Sequence, residues 1–225
     1  KGKRIFLTVT GVSRYSKIWI GDQFLGEHIG YLSAQSYDVS KHMTSGQTAT
    51  LTIQVDSKQR WEVDALFGAS SLADYMDVAW GGIWGHVFLE TRSEAWLDDL
   101  YVQTDIGAET CTVRASLNGQ ADLPDGVALD VFDARGKRVA DTFQKLTQPI
   151  APEQSVSIKV SLPNAQLWTP DTPTLYTACL ALRNGKQVID AVESRFGMRQ
   201  FTTDGYRILL NGKRIMLCGY GDDHI

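Results

Sequence analysis

The sequence contains few cysteines, no long apolar run and no sustained helical periodicity. Its 225 residues include three cysteines, Cys111, Cys179 and Cys218, which cannot all pair with one another and whose spacing fits no zinc site. We interpret them as free thiols, buried as small hydrophobic groups. No stretch approaches the roughly 18 apolar residues of a membrane-spanning helix. These absences argue against a zinc module and a helical membrane protein, and they leave the cellular compartment open.

The chain also lacks an excess of positive charge. Its net charge is -4 at pH 7, which argues against nucleic acid or an anionic membrane as the partner. Gly21-Asp22 and Gly26 form no phosphate cradle, because no helix is predicted after them. We therefore expect no cofactor and no metal. Since Lys1 directly precedes a predicted strand, we expect the natural N-terminus to lie upstream.

Apolar residues recur with a period of two along almost the whole chain, which predicts an all-β protein. Glycine-containing pairs such as Gly21-Asp22, Arg135-Gly136 and Asn184-Gly185 predict tight turns between strands. We predict a further turn at Asn118-Gly119 and a connector over residues 94–96. The predicted strands cover residues 4–12, 18–20, 23–26, 48–55, 86–91, 97–106, 111–117, 127–132, 156–162, 175–182 and 188–194.

A long irregular loop is predicted over residues 57–80, with one short helical turn near residues 70–74. Loops of this length inside a domain are uncommon and are often functional. Asp77 could accept hydrogen bonds from sugar hydroxyls, or it could stabilise the loop. Trp80 and Trp84 could stack on the apolar face of a sugar ring. The strand register of Trp84 favours a core position instead, and a core position is also favoured for Trp19.

The last stretch of the chain predicts a hairpin. Two short apolar runs, residues 207–210 and 213–217, are separated by Asn211-Gly212, a pair that favours a two-residue type I′ turn. The second run continues into a glycine-loosened segment, residues 218–224, with three ionisable groups in a row. Such an end is typical of the first strand of a further domain, which we expect to be missing here.

Four motifs follow one another along the chain. They are Gly81-Gly82-Ile83-Trp84 behind Asp77, Leu167-Trp168-Thr169-Pro170-Asp171-Thr172-Pro173-Thr174-Leu175-Tyr176, Phe196-Gly197-Met198-Arg199, and Asp204-Gly205 with Ile208-Leu209-Leu210-Asn211-Gly212-Lys213, Leu217 and Gly219. In this order they resemble the motifs of glycoside hydrolase family 2, which includes β-galactosidases, β-glucuronidases and β-mannosidases. Gly85 and Cys218 stand where the family usually has Arg, and Asp223 stands where many members have His. These departures bear on which sugar is bound.

The resemblance implies three domains. They are a sugar-binding jelly roll over residues 1–93, N-terminally incomplete, an immunoglobulin-like β-sandwich over residues 94–196, and the opening hairpin of a truncated TIM barrel over residues 197–225. It further implies a retaining exo-β-glycosidase that hydrolyses O-glycosidic bonds, with β-galactosidase activity first and β-glucuronidase or β-mannosidase activity second. The family's two catalytic glutamates lie on later barrel strands, so no catalytic residue is assigned in this chain.

The resemblance also implies a set of substrate-binding residues, namely Asp77, Trp80, Tyr220, Asp222, Asp223 and His224. For the last four, a solvated loop or a helix N-cap is the alternative. The expected partners are a β-glycoside, the barrel domain of the same chain and, as one option, further copies of the chain. Two other functions stay open: a stand-alone carbohydrate-binding protein without hydrolase activity, and an adhesion tandem of β-sandwiches with no sugar site.

Overall fold

The computed structural model describes residues 3–30, 33–44, 46–56, 81–119, 124–151 and 154–219 of the chain. Internal contacts divide the chain into two units, Lys1–Ser93 and Glu94–Ile225. Each unit is built from antiparallel strand pairs, as the period-two pattern predicts. Within the ranges described, no helix is long and apolar enough to cross a membrane.

The described residues of the first unit form two sheets. One has the strand order β4-β1-β7, and the other has the order β3-β2-β5 with β6 paired to β2. The buried side chains are those of alternating apolar positions, including Leu7, Val9, Ile18 and Ile20. The strands are β1 Lys3–Val9, β2 Val12–Ile20, β3 Gln23–Gly30, β4 Gln35–Asp38, β5 Leu51–Asp56, β6 Gly82–Ile83 and β7 Val87–Ser93.

Two details of the first unit differ from the sequence prediction or refine it. The single strand predicted over residues 4–12 is wrong, because Gly11 adopts a positive φ of 62° and separates β1 from β2. The predicted hairpin at Gly21-Asp22 is confirmed as the turn between β2 and β3. Trp19 lies half-buried on β2, where its ring packs on Phe24 with 5.4 Å between the ring centroids.

Hydrogen bonds to the Asp38 carboxylate join β1 to the end of β4. Arg4 Nε donates a hydrogen bond of 2.8 Å to Asp38 Oδ2, and the Ser40 amide donates one of 2.9 Å to Asp38 Oδ1. Partial burial alone would raise the pKa of Asp38, but the Ser40 hydrogen bonds and the Arg4 guanidinium outweigh burial and lower it. Folding therefore favours the ionised form of Asp38.

In the second unit, the strands that the structure describes form two larger sheets and one small sheet. The strand orders are β11-β10-β13-β14, β12-β9-β8 and β15-β16-β17. The strands are β8 Ala95–Asp105, β9 Thr110–Gly119, β10 Gly126–Phe132, β11 Arg138–Lys145, β12 Gln154–Ser161, β13 Tyr176–Asn184, β14 Gln187–Phe196, β15 Phe201–Asp204, β16 Arg207–Leu210 and β17 Lys213–Arg214.

The two larger sheets share one hydrophobic core, which is the arrangement of a β-sandwich. Leu117 on one sheet and Leu129, Leu180 and Leu182 on the other are fully buried. The alternation that predicted these strands continues in their burial, because every second side chain of β9 and β13 faces this core. The predicted strands of this unit are thus all present.

The second unit differs from the sequence prediction at three places, of which two were predicted wrongly and one was not predicted. Strand β11, Arg138–Lys145, was not predicted, because it exposes most of its side chains and shows no clean alternation. Asn118-Gly119 is not a turn, and residues 95 and 96 are not a connector. Instead Ala95 pairs with Gly119 and Trp96 pairs with Asn118 at the ends of β8 and β9.

The hairpin predicted near the end of the chain is confirmed. Asn211 and Gly212 have positive φ values of 52° and 78° between β16 and β17, as a type I′ turn requires. The second strand ends at Arg214 and does not continue to residue 217. An additional strand, β15, pairs with the outer side of β16. The proposal that residues 197–225 open a separate barrel domain stays a prediction.

Candidate functional site

The predicted substrate-binding residues all fall outside the part of the chain that the structure describes. Asp77 and Trp80 belong to residues 57–80, which also include the predicted helical turn. The other four, Tyr220, Asp222, Asp223 and His224, belong to residues 220–225. Their roles stay predictions. The structure does describe the neighbouring segments of the sequence. Residues 81–86 follow Trp80, and residues 197–219 precede Tyr220.

The first segment, residues 81–86, follows residues 57–80 in the sequence and is fixed to the turn between β1 and β2. Strand β6 pairs with the start of β2, and the Trp84 amide donates a hydrogen bond of 2.9 Å to the Gly11 carbonyl. His86 and Thr10 exchange two more: the Thr10 amide donates to the His86 carbonyl at 2.9 Å, and the His86 amide donates to Thr10 Oγ1 at 2.8 Å. The backbone around Trp84 is therefore held from both sides.

Two glycines make this close approach sterically feasible. A Cβ atom added to Gly11 would lie 2.8 Å from two ring carbons of Trp84, and Gly11 also has a positive φ of 62°. A Cβ atom added to Gly85 would lie 2.2 Å from the Thr10 carbonyl oxygen. Gly85 stands where the family that the sequence resembles usually has Arg. In this chain, any side chain at that position would collide with the backbone of Thr10.

Trp84 is an exposed aromatic side chain, with 55% of its surface accessible. The prediction that it belongs to the core is wrong, because it lies in the short connection between β6 and β7 and not in a strand. The flat, apolar face of an indole is the surface on which pyranose rings stack. Trp84 thus offers an exposed indole face on a fixed backbone, and a fixed backbone limits the entropy that binding would cost.

The second segment, residues 197–219, is joined by hydrogen bonds to the Leu-Trp-Thr-Pro motif at residues 167–170. The Trp168 amide donates a hydrogen bond of 2.9 Å to the Met198 carbonyl, and the Asn211 side-chain amide donates one of 3.0 Å to the Trp168 carbonyl. The Arg199 guanidinium lies 4.5 Å from the centroid of the Trp168 ring, a cation–π contact. Trp168 lies tightly against Gly197, where an added Cβ would meet the Trp168 Cβ at 2.6 Å.

Three of the sequence motifs therefore meet in space. Their glycine, tryptophan and asparagine residues have complementary roles: glycine leaves room for the indole ring, and the asparagine side chain satisfies a backbone carbonyl. The sequence reasoning identified these motifs by resemblance but did not predict the Arg199–Trp168 contact. Arginine and tryptophan are the residue types that most favour such a pair, but nothing in the local sequence places these two together.

The cysteines differ in environment. Cys111 is buried, as predicted, and burial raises the pKa of its thiol to about 11. Cys179 is half-buried, and burial together with the neighbouring Glu193 carboxylate raises its pKa as well. Cys218 is exposed, so the prediction of a buried thiol is wrong for this residue. In the part of the chain that is described, no group of three His, Cys, Asp or Glu residues could hold a metal ion.

Comparisons with known proteins agree on one family. The sequence profile of Glycosyl hydrolases family 2 matches residues 95–199. A β-galactosidase of Thermoanaerobacter pseudethanolicus is 23% identical, over 97% of this chain and 29% of the relative. A putative β-glucuronidase of Formosa agariphila is 31% identical, over 93% of this chain and 24% of the relative.

A solved structure has the same fold over almost the whole chain. A glycosyl hydrolase family 2 member from Bacteroides cellulosilyticus superposes with a TM-score of 0.75 at 22% identity, covering 97% of this chain and 29% of that structure. The all-β architecture of both units therefore agrees with a known fold. The chain spans less than a third of the length of each of these relatives.

Proposed function

We propose that this chain, which belongs to Glycosyl hydrolases family 2, is the non-catalytic N-terminal part of a retaining exo-β-glycosidase acting on O-glycosidic bonds. The proposal rests on the extent of the sequence match, because a β-galactosidase aligns with 97% of this chain. The four motifs that suggested the family from the sequence are spread over the same length.

The division of labour that we propose follows the three expected domains. Residues 1–93 form a sugar-binding jelly roll that lends loop residues to the substrate pocket, and residues 94–196 form an immunoglobulin-like sandwich that supports it. Residues 197–225 begin the TIM barrel, which supplies both catalytic carboxyl groups. A retaining mechanism needs these two groups about 5–5.5 Å apart, one as nucleophile and one as acid/base. We assign neither role to Asp222 or Asp223, because the side chains of adjacent residues diverge wherever a segment is extended.

For the substrate we propose a β-galactoside first and a β-glucuronide second. Relatives with both names match the chain over similar lengths, so the choice depends on residues that contact the sugar at C4 and C5. The two substrates differ in the configuration of the C4 hydroxyl and, at C5, by a hydroxymethyl group in place of a carboxylate, and these differences require different partners in the pocket. Hydrolysis of p-nitrophenyl β-D-galactopyranoside and β-D-glucuronide by the longer protein would distinguish them. A rate ratio above about 100 in favour of the galactoside supports the first choice, and the reverse ratio overturns it.

The exposed Trp84 motivates the alternative, a carbohydrate-binding protein without hydrolase activity. Both proposals expect the 225-residue chain to bind sugar weakly through this indole, and a Trp84→Ala variant should lose that binding. Tyr206→Ala is the matched control, because Tyr206 is an exposed aromatic of the second unit. Only the hydrolase proposal also expects turnover by the longer protein. An inactive longer protein that still binds sugar would favour the alternative.

A further inference from the structure

A cavity of about 560 Å³ lies in the second unit, between β8 and β14. Its walls are residues 100–104 of β8, the end of β14 and the segment that leads into β15. Small-molecule sites usually occupy roughly 300–1,000 Å³, so this cavity is large enough for an oligosaccharide. None of the residues singled out for the substrate site contributes to it.

The charged residues that line this cavity are both arginines. Arg195 and Arg199 are exposed to solvent, and no Asp or Glu is among the lining residues of the described chain. Neither arginine forms an ion pair within the described part of the chain, whereas Arg4, Arg92 and Arg138 each contact a carboxylate. Two planar guanidinium groups without a carboxylate partner favour a ligand that carries one.

Arg199 is held in position before any ligand arrives. Its guanidinium stacks 4.5 Å from the Trp168 ring centroid and 5.6 Å from that of Phe201. Thr104 Oγ1 donates a hydrogen bond of 2.6 Å to the Arg199 carbonyl, which ties this segment to β8. The next residue, Gln200, exchanges two hydrogen bonds with Asn211, at 2.8 Å and 2.9 Å. A guanidinium fixed in this way loses little side-chain entropy on binding.

The cavity also presents aromatic surface. Tyr101 on β8 is 61% exposed, and Phe201 at the start of β15 is 49% exposed. Exposed rings beside charged and neutral polar groups are typical of sites for sugars, whose rings have one apolar face and many hydroxyl groups. Gln103 and Ser194 supply neutral hydrogen-bonding groups on the same walls. A simple inorganic anion would need the arginines but would leave the aromatic rings unused.

We propose that this β8–β14 cavity binds a carboxylate-bearing saccharide, with Arg195 and Arg199 contacting the carboxylate and Tyr101 and Phe201 contacting sugar rings. The site would be additional to the substrate pocket, and it would retain acidic polysaccharide near the enzyme. This inference goes beyond the proposed hydrolase function. It can be tested by binding to the 225-residue chain alone, so a failed hydrolysis assay would not affect it.

The test is calorimetric titration of the 225-residue chain with tri-galacturonate and with galactotriose, its carboxyl-reduced counterpart. We expect saturable binding of tri-galacturonate, at least about tenfold tighter than galactotriose, which is the difference that one charge-assisted hydrogen bond contributes. Arg199→Ala should weaken tri-galacturonate binding by about tenfold and leave galactotriose binding unchanged. Arg135→Ala, which removes an equal charge from an exposed turn of the same unit, should leave both affinities unchanged.

Folding of the variants is checked by circular dichroism and thermal melting. If Arg199→Ala does not fold, Arg195→Ala and Arg199→Lys replace it. Arg195 makes no ring contact in the described chain, and lysine keeps the charge but loses the planar fork. Each replacement should weaken tri-galacturonate binding severalfold. The proposal is overturned by absence of binding, by equal affinity for the two sugars, or by wild-type affinity in the folded arginine variants.

Discussion

Replacing Gly11 by alanine should destabilise the first unit more than the same replacement at Gly21 does. Both glycines have similar positive φ values, 62° and 55°, which an alanine adopts only with strain. An added Cβ at Gly21 meets nothing within 4 Å, whereas one at Gly11 lies 2.8 Å from the Trp84 ring and 2.9 Å from the Gly85 amide nitrogen. The pair therefore separates the cost of the backbone angle from the cost of the contact.

The expected magnitudes follow from these two terms. Left-handed backbone in a non-glycine residue costs about 1–2 kcal/mol, which is the full effect expected for Gly21→Ala. Forcing an extra methyl group into a packed contact costs a further 1–3 kcal/mol or so. Gly11→Ala should accordingly lower the free energy of unfolding by about 2–5 kcal/mol.

Urea unfolding followed by circular dichroism measures the free energies, and hydrogen exchange of peptides from β1 and β2 assigns the change to the first unit. In a Trp84→Ala background the excess cost of Gly11→Ala should shrink to the part caused by the Gly85 amide. Equal losses for Gly11→Ala and Gly21→Ala would refute the reasoning. So would an excess cost that is unchanged when the Trp84 ring is removed.

Three further predictions concern the core, the thiols and pH. Leu180→Ala, at a position with 0% exposure, should cost about 2–5 kcal/mol in urea unfolding, whereas Val188→Ala, at 48% exposure, should cost under about 1 kcal/mol; similar losses would contradict the assigned core. N-ethylmaleimide at pH 8, followed by mass spectrometry, should label exposed Cys218 well before Cys111, whose pKa is raised to about 11 by burial; equal rates would contradict the burial of Cys111. Because the pKa of Asp38 is lowered on folding, its charge stabilises the fold above its usual pKa of about 4, and this contribution is lost as pH falls through the folded-state pKa. The stability cost of Asp38→Asn should therefore be larger at pH 7 than at pH 3, and a cost independent of pH would be the contrary result.

The strands that could be predicted from the sequence are those with one buried face. In β9 and β13 the alternating residues Val113, Leu117, Leu180 and Leu182 all face the shared core, so the sequence pattern and the burial pattern coincide. Strand β11 has no such face: its side chains are mostly exposed, and its stability depends on pairing with β10 along the whole strand. Pairing through the backbone leaves no periodic trace in the sequence.

The candidate site was less predictable, because its geometry depends on contacts between distant residues. The strand-like spacing around Trp84 suggested a core position, but β6 is only two residues long and the chain turns at Gly85. That turn is made by hydrogen bonds to Thr10 and Gly11, more than 70 residues earlier in the chain. No local pattern could indicate it. The same holds for Arg199, whose ring contact with Trp168 joins two motifs that were identified separately.

We have proposed that this chain supports chemistry carried out elsewhere in a longer family 2 glycosidase. The most direct test of this proposal is the rate of p-nitrophenyl β-glycoside hydrolysis by the purified 225-residue chain, measured beside the longer protein at equal molar concentration. We expect only the longer protein to release p-nitrophenol. Turnover by the 225-residue chain itself, or an inactive longer protein, would contradict this division of labour.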